Sequence, residues 1–223
     1  MMQETLWKKL TEYGTRTEMP KDTILNGKYD NHISNYVYLL EDGICALTSI
    51  TKQGEEKVYL YFHPQRIIAF NEFMISSPKR EMASPVFTIV TRTPCILYQI
   101  STPVFRELID TDREFNRFLM QTLADNYSDA LVHFHLMQEE SAVVRLCHLL
   151  LEVSQTKKEL LVVPKFFTYA ELAKYLGCHP VTVSRIMAKL KQNGFISKTA
   201  AGIVIDDAAA LEKLINSESC FKY

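Results

Sequence analysis

The chain has 223 residues, of which 47% are hydrophobic and 23% are charged, and its formal net charge is −1. This composition is ordinary for a globular protein, and the length suffices for one large or two modest domains with buried cores. No apolar run reaches about 18 residues, so a membrane-spanning helix is not expected.

The N-terminus and the cysteines predict a cytoplasmic protein. The stretch MMQETLWKKLTEYG suits an amphipathic helix and lacks the apolar core of a signal peptide. The cysteine number is odd and no C-x-x-C pair occurs, which predicts reduced thiols rather than a disulfide framework or a zinc ribbon. The five cysteines are Cys45, Cys95, Cys147, Cys178 and Cys220.

Residues 1–101 are predicted to form a β-rich domain that begins with a helix and a linker over residues 1–19. Short runs of β-branched and aromatic residues follow, and turns separate them. Asp42-Gly43 is a two-residue hairpin signal, and Lys52-Gln53-Gly54 is a longer one. This spacing predicts a small antiparallel barrel or jelly roll, which commonly encloses a pocket. The predicted strands are residues 35–40, 44–50, 57–63, 86–91 and 95–100.

Residues 102–139 are predicted to form one long dimerisation helix, opened by Ser101 as a cap and Pro103 in the first turn. Its apolar positions step by 4, 4, 3, 4 and 3 residues, a heptad-like seam that can pair two helices. Asn126 and Asp129 flank the seam and are candidates for setting its register. The alternative is a helix that packs against its own barrel. The seam residues are Leu119, Leu123, Tyr127, Ala130, Phe134 and Met137.

Residues 140–223 are predicted to form a helix-turn-helix domain behind a hinge at residues 139–141. Thr168 and Glu171 form a capping box, and Gly177 suits the left-handed end of the first helix. Pro180 suits the first turn of the second helix. That helix has a core-facing stripe at i, i+3, i+4 and i+7, formed by Val183, Ile186, Met187 and Leu190.

The elements around these two helices complete a winged domain. A helix is predicted at residues 142–153 and a strand at 160–163. Beyond Gly194, two strands at 195–198 and 203–205 form a β-wing, and a last helix ends near residue 216. From Glu140 onward there are 11 basic and 8 acidic residues, against 14 and 18 in the rest, so this part is the expected neighbour of a polyanion.

This order of parts resembles the CRP/FNR family of bacterial transcription regulators, with residues 47–50 and 184–192 most similar to its PrfA-like branch. The resemblance implies an α+β fold with a cupin-like, cyclic-nucleotide-binding-type β-barrel (jelly roll), a dimerisation helix and a C-terminal winged helix-turn-helix. It also implies a homodimer on an imperfect palindrome of double-stranded DNA and contact with RNA polymerase, and no enzymatic activity. The matching residues are Gly27, 38–43, Gly54, 171–173, Leu176-Gly177, 182–186, Lys189-Leu190 and 194–196.

The effector is expected to differ from that of the cyclic-AMP-binding members. Those carry a Gly-Glu-Leu turn and a later Arg-Ser/Thr-Ala, whereas this chain has residues 70–73 (FNEF) and then Pro85-Val86. Without that arginine a cyclic phosphate lacks its charge-assisted partner, unless Arg80 or Arg92 replaces it. An N-terminal cysteine cluster for an iron–sulfur centre is absent too. Candidate pocket residues, which alternatively just fill a core, are Tyr59, Tyr61, Glu72 and Phe73, among further aromatics at Tyr36, Tyr38 and Phe62.

The exposed face of the second helix is predicted to read DNA. Arg185 is the main candidate, because its guanidinium suits guanine O6 and N7. Val181 stands where many relatives carry a polar reader, and its side chain suits a thymine methyl group instead. Ser184 and His179 are secondary candidates. Phosphate contacts, which position the protein without reading sequence, are expected from Tyr169, Thr182, Lys189, Lys191 and Lys198.

Other interpretations are weaker. His133 and His135 lie about 200° apart on a helix and cannot share a metal ion. His135 and Glu139 are one turn apart and could ligate a metal ion across a dimer. Cys147 and His148 diverge by about 100°, so they do not form a nucleophile–base pair. The competing class of protein is a ligand-binding or interaction module whose degenerate helix-turn-helix no longer reads DNA.

Overall fold

A computed structural model describes residues 2–26, 35–74, 87–157, 159–200 and 202–216, without the side chains of residues 2–5 and 72. Gly27, Arg80, Pro85-Val86 and Cys220 lie outside the described residues. The chain divides into an N-terminal unit that ends at Ala130 and a C-terminal unit that begins at Leu131. Within the described ranges, no helix combines the length and apolarity needed to cross a membrane.

Two four-stranded antiparallel sheets form the centre of the N-terminal unit. The first has the order β1-β8-β3-β6 and the second the order β2-β7-β4-β5. Together with the helices, they confirm the predicted α+β fold with an antiparallel N-terminal domain. The strands are β1 Thr15–Met19, β2 Ile24–Asn26, β3 Tyr36–Asp42, β4 Cys45–Ile50, β5 Glu56–Phe62, β6 Arg66–Ile68, β7 Thr88–Thr91 and β8 Cys95–Ser101.

Two turns predicted as hairpins behave differently. Thr51 to Glu55 joins the paired strands β4 and β5, and Gly54 there has a φ of 82°. Gly43, with a φ of 96°, instead leads from β3 in the first sheet to β4 in the second. The Asp42-Gly43 hairpin prediction is therefore wrong, because a turn signal specifies the backbone bend and not the strand that pairs next.

Successive side chains of β3 point alternately into two separate hydrophobic cores. Tyr38 and Leu40 pack in a cluster that draws residues from both sheets. Val37 and Leu39 pack in a second cluster with the helices α1 Met2–Thr11, α3 Thr102–Thr111 and the start of α4 Arg113–Glu139. A short helix, α2 Asn71–Met74, follows β6. The predicted linker after α1 is the edge strand β1, which pairs with β8 along its whole length.

The predicted single helix over residues 102–139 is two helices that meet at Asp112. The Asp112 Oδ1 atom accepts hydrogen bonds from the backbone N–H of Glu114 (2.9 Å) and of Phe115 (3.1 Å), as an N-cap does. Lys9 Nζ lies 2.8 Å from Asp112 Oδ2, and this hydrogen bond lowers the pKa of the Asp112 carboxyl. Asp112 therefore starts a new helix where the apolar pattern alone suggests continuity.

The C-terminal unit is a helix-turn-helix backed by a small sheet of order β11-β12-β10-β9. The last two turns of α4 belong to this unit, so the compact units divide inside α4 rather than at the expected hinge over residues 139–141. Ser141 caps the next helix by accepting a hydrogen bond from the Val144 N–H. The elements are α5 Ala142–Glu152, β9 Gln155–Lys157, β10 Leu160–Pro164, α6 Tyr169–Leu176, α7 Pro180–Gln192, β11 Ile196–Thr199, β12 Gly202–Ile205 and α8 Ala208–Asn216.

Gly202 allows the wing strand β12 to pair closely with the rest of this sheet. Its φ is 145°, and a Cβ atom there would lie 2.1 Å from the Val163 carbonyl oxygen. β12 can therefore pair with β10 on one side and β11 on the other only if this residue lacks a side chain.

Candidate DNA-binding surface

The first helix of the motif, α6, begins and ends where its sequence predicts. Thr168 Oγ1 accepts a hydrogen bond from the Glu171 N–H at 3.2 Å, which is half of the predicted capping box. The Glu171 carboxylate is 7% exposed and lies 3.4 Å from Lys174 Nζ. Gly177 ends the helix with a φ of 61°, as the left-handed conformation there requires.

The second helix, α7, is capped by a side chain that was predicted to read bases. His179 Nδ1 accepts a hydrogen bond from the Val181 N–H at 3.2 Å. A ring nitrogen that accepts is unprotonated, so the neutral imidazole carries its proton on Nε2. His179 therefore has its primary role at the helix start, and only Nε2 remains to donate to DNA.

The two faces of α7 separate as the periodicity predicts. The predicted core stripe is buried, with exposed fractions between 0% and 2%. Val181 is 49% exposed, and Ser184 and Arg185 are also exposed, while Lys189 is half-buried. Lys189 and Lys191 lie in the last turn, where positive charge complements the helix dipole. A rigid cationic helix surface results, with Arg185 near its middle.

A groove of about 610 Å³ runs between the wing and the start of α6. It brings together Tyr169 and Lys198, which the sequence predicted separately as phosphate contacts. It also contains the exposed Lys165, which is not among the phosphate contacts that the sequence predicts. A signal was available, because Lys165 is a cation three residues before the helix cap Thr168. The N-terminus of α6 opens into this groove and adds the positive end of a helix dipole.

The predicted seam residues of α4 differ in exposure. Leu119 is 2% exposed and packs in the N-terminal core, and Leu123 packs against the same core. Met137 is half-buried, and its Cε atom would lie 2.7 Å from a Cβ at Gly177. Of the predicted residues, Tyr127, Ala130 and Phe134 are exposed.

A different apolar row on α4 is exposed to solvent. Its members step by 4, 3, 4 and 3 residues, which is the spacing of a coiled-coil seam. Two registers fit the sequence because the N-terminal half of α4 carries apolar residues on two faces, one of which packs in its own unit. We call this row the α4 seam: Met120 (63% exposed), Ala124, Tyr127 (67%), Leu131 (49%) and Phe134 (59%).

The polar residues expected to set the dimer register contact the N-terminal unit instead. Arg66 Nη1 donates to Asn126 Oδ1 at 2.8 Å, and Arg66 Nη2 lies 3.4 Å from Asp129 Oδ2. Asn126 and Asp129 therefore tie α4 to β6 within one protomer.

The predicted effector residues lie in different surroundings. Phe73, in α2, packs against the core cluster of Val37 and Leu39, with its ring centroid 6.3 Å from that of Phe105. Tyr59 lies on β5, with its hydroxyl 3.1 Å from Ser49 Oγ and its ring centroid 5.1 Å from that of Phe87. Tyr61 is buried opposite Ala46 in the second sheet, and the Glu72 side chain is outside the described residues.

Arg92, a candidate phosphate ligand, already forms an ion pair. Arg92 is 5% exposed, and its guanidinium donates to the Glu56 carboxylate. Binding a cyclic phosphate through Arg92 therefore requires breaking a buried ion pair, which is costly.

Other titratable residues serve packing. The His133 ring lies 4.3 Å from the Tyr175 ring, and burial lowers the pKa of His133. Cys147 is fully buried in α5, and burial raises the pKa of its thiol to about 12. Across the described parts of the chain, no three His, Cys, Asp or Glu side chains are grouped so that they could hold a metal ion.

Two family profiles match the chain in the order of its units. The cyclic nucleotide-binding domain matches residues 20–112, and the Crp-like helix-turn-helix domain matches residues 144–214. Among curated proteins, the anaerobic regulatory protein of Pasteurella multocida is 21% identical over 184 residues, which cover 81% of this chain. The chain spans 65% of the length of that relative.

Solved structures share the same fold. FixK2 from Bradyrhizobium japonicum superposes with a TM-score of 0.75 at 18% identity, covering 92% of this chain and 99% of that one. A CRP/FNR family transcriptional regulator from Thermus thermophilus has a TM-score of 0.71 at 16% identity, covering 92% and 100%. At these identities the likeness concerns the fold.

Proposed function

We propose that the chain is a CRP/FNR-type regulator, a dimeric, sequence-specific DNA-binding protein that inserts α7 into the major groove. The observation that carries this proposal is the split of α7 into a fully buried stripe and an exposed face centred on Arg185. A recognition helix needs both features, because the stripe fixes its orientation and the exposed face meets the bases.

We propose that Arg185 is the main base reader. Its guanidinium can donate two hydrogen bonds to guanine O6 and N7, which is worth about 1–3 kcal/mol of discrimination. Val181 and Ser184 lie on the same exposed face, and Val181 suits a thymine methyl group. Because Pro180 and Val181 offer no polar side chain, the half-site should depend less on G·C pairs than those of many relatives.

The phosphate contacts divide between the helix and the wing groove. Lys189, Lys191 and Thr182 belong to α7, whereas Tyr169, Lys198 and Lys165 line the groove. The cations of α7 and those of the wing groove can contact the DNA backbone at two separate places. Such contacts contribute affinity that falls with salt but does not depend on sequence.

The dimer forms through the α4 seam in this proposal. Two copies of an apolar row with heptad spacing bury each other across a two-fold axis. A two-fold dimer then presents two recognition helices to an imperfect palindrome, with half-sites one DNA turn or a multiple of it apart.

The N-terminal unit is the proposed site of regulation. An effector other than cyclic AMP would act through the N-terminal unit, and the DNA-bound dimer would contact RNA polymerase in the cytoplasm. Membership of the PrfA-like branch belongs to the same proposal and rests on residues 47–50 and 184–192. The alternative function, an interaction module with a degenerate helix-turn-helix, remains the competitor because family folds can lose their DNA contacts.

An operator selected from random duplexes and a scrambled duplex test both functions by fluorescence anisotropy. Wild-type protein should prefer the operator, and its affinity should fall steeply with salt. Arg185→Ala should lose about 5- to 150-fold on the operator and little on scrambled DNA. Lys191→Ala should weaken binding to both duplexes alike.

The matched control is Arg106→Ala, which removes an exposed arginine from α3 in the N-terminal unit. Its affinities should equal those of the wild type. An Arg185→Ala variant with unchanged affinity on every duplex would refute the base-reading role. Selection that enriches no sequence, combined with retention on heparin, would favour the degenerate module.

A further inference from the structure

Two buried cysteines face each other across the sheets of the N-terminal unit. Cys45 begins β4 in the second sheet, and Cys95 begins β8 in the first sheet. Their Sγ atoms are 3.8 Å apart, and the residues are 0% and 2% exposed. Each follows a point where the chain crosses from one sheet to the other. The two thiols are therefore neighbours through the fold, 50 residues apart in sequence.

The turns before these strands hold the sulfur atoms in place. The Ile44 N–H donates to Thr93 Oγ1 at 2.9 Å, and the Arg92 N–H donates to the Ile44 carbonyl at 2.7 Å. The Cys95 Sγ atom lies 3.5 Å from that carbonyl and 3.3 Å from the Thr93 carbonyl. Because these bonds connect the two crossovers directly, the thiols stay in contact without any rearrangement of the strands.

The two thiols differ in acidity. The hydrogen bond from Cys45 lowers the pKa of the Cys95 thiol against the opposing effect of burial, and the side chain of Thr93 also lowers it. The same hydrogen bond, together with burial, raises the pKa of the Cys45 thiol. Cys95 therefore supplies the thiolate, which is the reactive form, and Cys45 keeps its proton.

Cys95 lies directly beneath a turn that lacks a side chain. A Cβ atom at Gly43 would be 2.6 Å from Cys95 Sγ, and Gly43 itself is half-buried while Pro94 is exposed. Position 43 therefore places no side chain against the sulfur. Because Cys95 is only 2% exposed, a reagent that oxidises it must be small, of the size of hydrogen peroxide.

We propose that Cys45 and Cys95 form a peroxide-reactive dithiol site that closes to a disulfide between the two sheets. The Cys95 thiolate attacks one oxygen of hydrogen peroxide, the O–O bond breaks, and hydroxide leaves, which gives a sulfenic acid. The Cys45 sulfur then attacks the Cys95 sulfur, and the hydroxyl leaves as water with the Cys45 proton. In total two thiols lose two electrons, and one peroxide becomes two waters.

The geometry permits this closure. The sulfur atoms must approach from 3.8 Å to the S–S bond length of about 2.05 Å. Cys147 offers a contrast within the same chain, because burial alone raises the pKa of its thiol to about 12, whereas the pKa values of Cys45 and Cys95 reflect their hydrogen bond to each other.

The test is a peptide map of the full-length protein treated with hydrogen peroxide, alkylated and digested without reductant. We expect one cross-linked peptide that joins Cys45 to Cys95 and disappears after dithiothreitol. We also expect the Tm to rise by about 5 °C or more on oxidation, because the bridge restricts the unfolded chain. A map without this cross-link, or with cross-links only through Cys178 or Cys220, would overturn the proposal.

Variants separate the two roles. Cys45→Ser should accumulate a Cys95 sulfenic acid, which dimedone labels when the peroxide-treated protein is unfolded in its presence, whereas Cys95→Ser should give neither adduct nor cross-link. Cys147→Ser is the control and should cross-link like the wild type. Equal dimedone labelling of Cys45 in the Cys95→Ser variant would contradict the assignment of the attacking thiol. If either variant fails to fold, the wild-type map alone decides.

Discussion

The α4 seam makes a quantitative prediction at Phe134, which is 59% exposed in the protomer. Burying a whole phenylalanine side chain stabilises by about 3 kcal/mol, so covering the exposed 59% contributes about 1.5–2 kcal/mol per copy, and a two-fold dimer contains two copies. Phe134→Ala should therefore weaken the dimer by about 3 kcal/mol, which raises its Kd by about 100- to 300-fold. The protomer should keep its fold, because the side chain packs in neither described core cluster.

Leu119 predicts the opposite outcome, although it lies on the same helix. Its side chain is 2% exposed in the N-terminal core, so Leu119→Ala should cost about 2–5 kcal/mol of unfolding free energy. The Kd of the protein that remains folded should stay near the wild-type value. Sedimentation over a concentration series measures the Kd, and urea unfolding measures the stability.

Leu160→Ala is the matched control, because Leu160 is 52% exposed but belongs to β10 and not to α4. Its Kd and its unfolding free energy should both equal those of the wild type. A Phe134→Ala dimer with wild-type Kd, or a Leu119→Ala variant that loses dimerisation at unchanged stability, would refute the shifted register and restore the sequence-based seam.

Two further predictions concern the C-terminal unit. Gly202→Ala should cost about 3 kcal/mol of unfolding free energy, because its Cβ would clash with the Val163 carbonyl oxygen. The control Gly54→Ala, at a positive φ in open space, should cost about 1 kcal/mol. Equal melting temperatures of the two variants would contradict this prediction. Burial lowers the pKa of His133, so the unfolded chain binds the proton more readily and stability should fall as the pH drops below about 6.5. His133→Gln should lose this part of the dependence in urea titrations at pH values of about 5.5 and 7.5, and an unchanged difference would exclude His133 as its source.

The helix-turn-helix was predictable because its signals are local. The cap at Thr168, the left-handed Gly177 and the four-residue stripe of α7 each depend on a few neighbouring residues. The structure reproduces all three. Local rules also predicted Ser141 as a helix cap. The role of His179 was missed because a histidine cap resembles a polar reader when only the order of residues is known.

The sequence alone did not predict which face of α4 stays exposed, because apolar residues with steps of three and four occur on two faces of the same helix. Only the packing of Leu119 and Leu123 in the N-terminal core decides which face is left for a partner. The sheet crossing at Gly43 and the polar edge strand β1 were also not predicted, because both depend on distant residues. β1, for example, forms by pairing with β8. The break at Asp112 did have a local signal, an acidic cap.

The two apolar faces of α4 separate folding from assembly. Because Leu119 and Leu123 complete the N-terminal core inside one protomer, a chain can reach its folded state before it meets a second copy. Dilution should then release folded monomers, and only higher denaturant concentrations should unfold them. Denaturation of the dimer therefore has a dissociation step that depends on protein concentration and an unfolding step that does not. The level of the protein in the cell would thereby set the fraction of dimer without changing the fraction of folded chain.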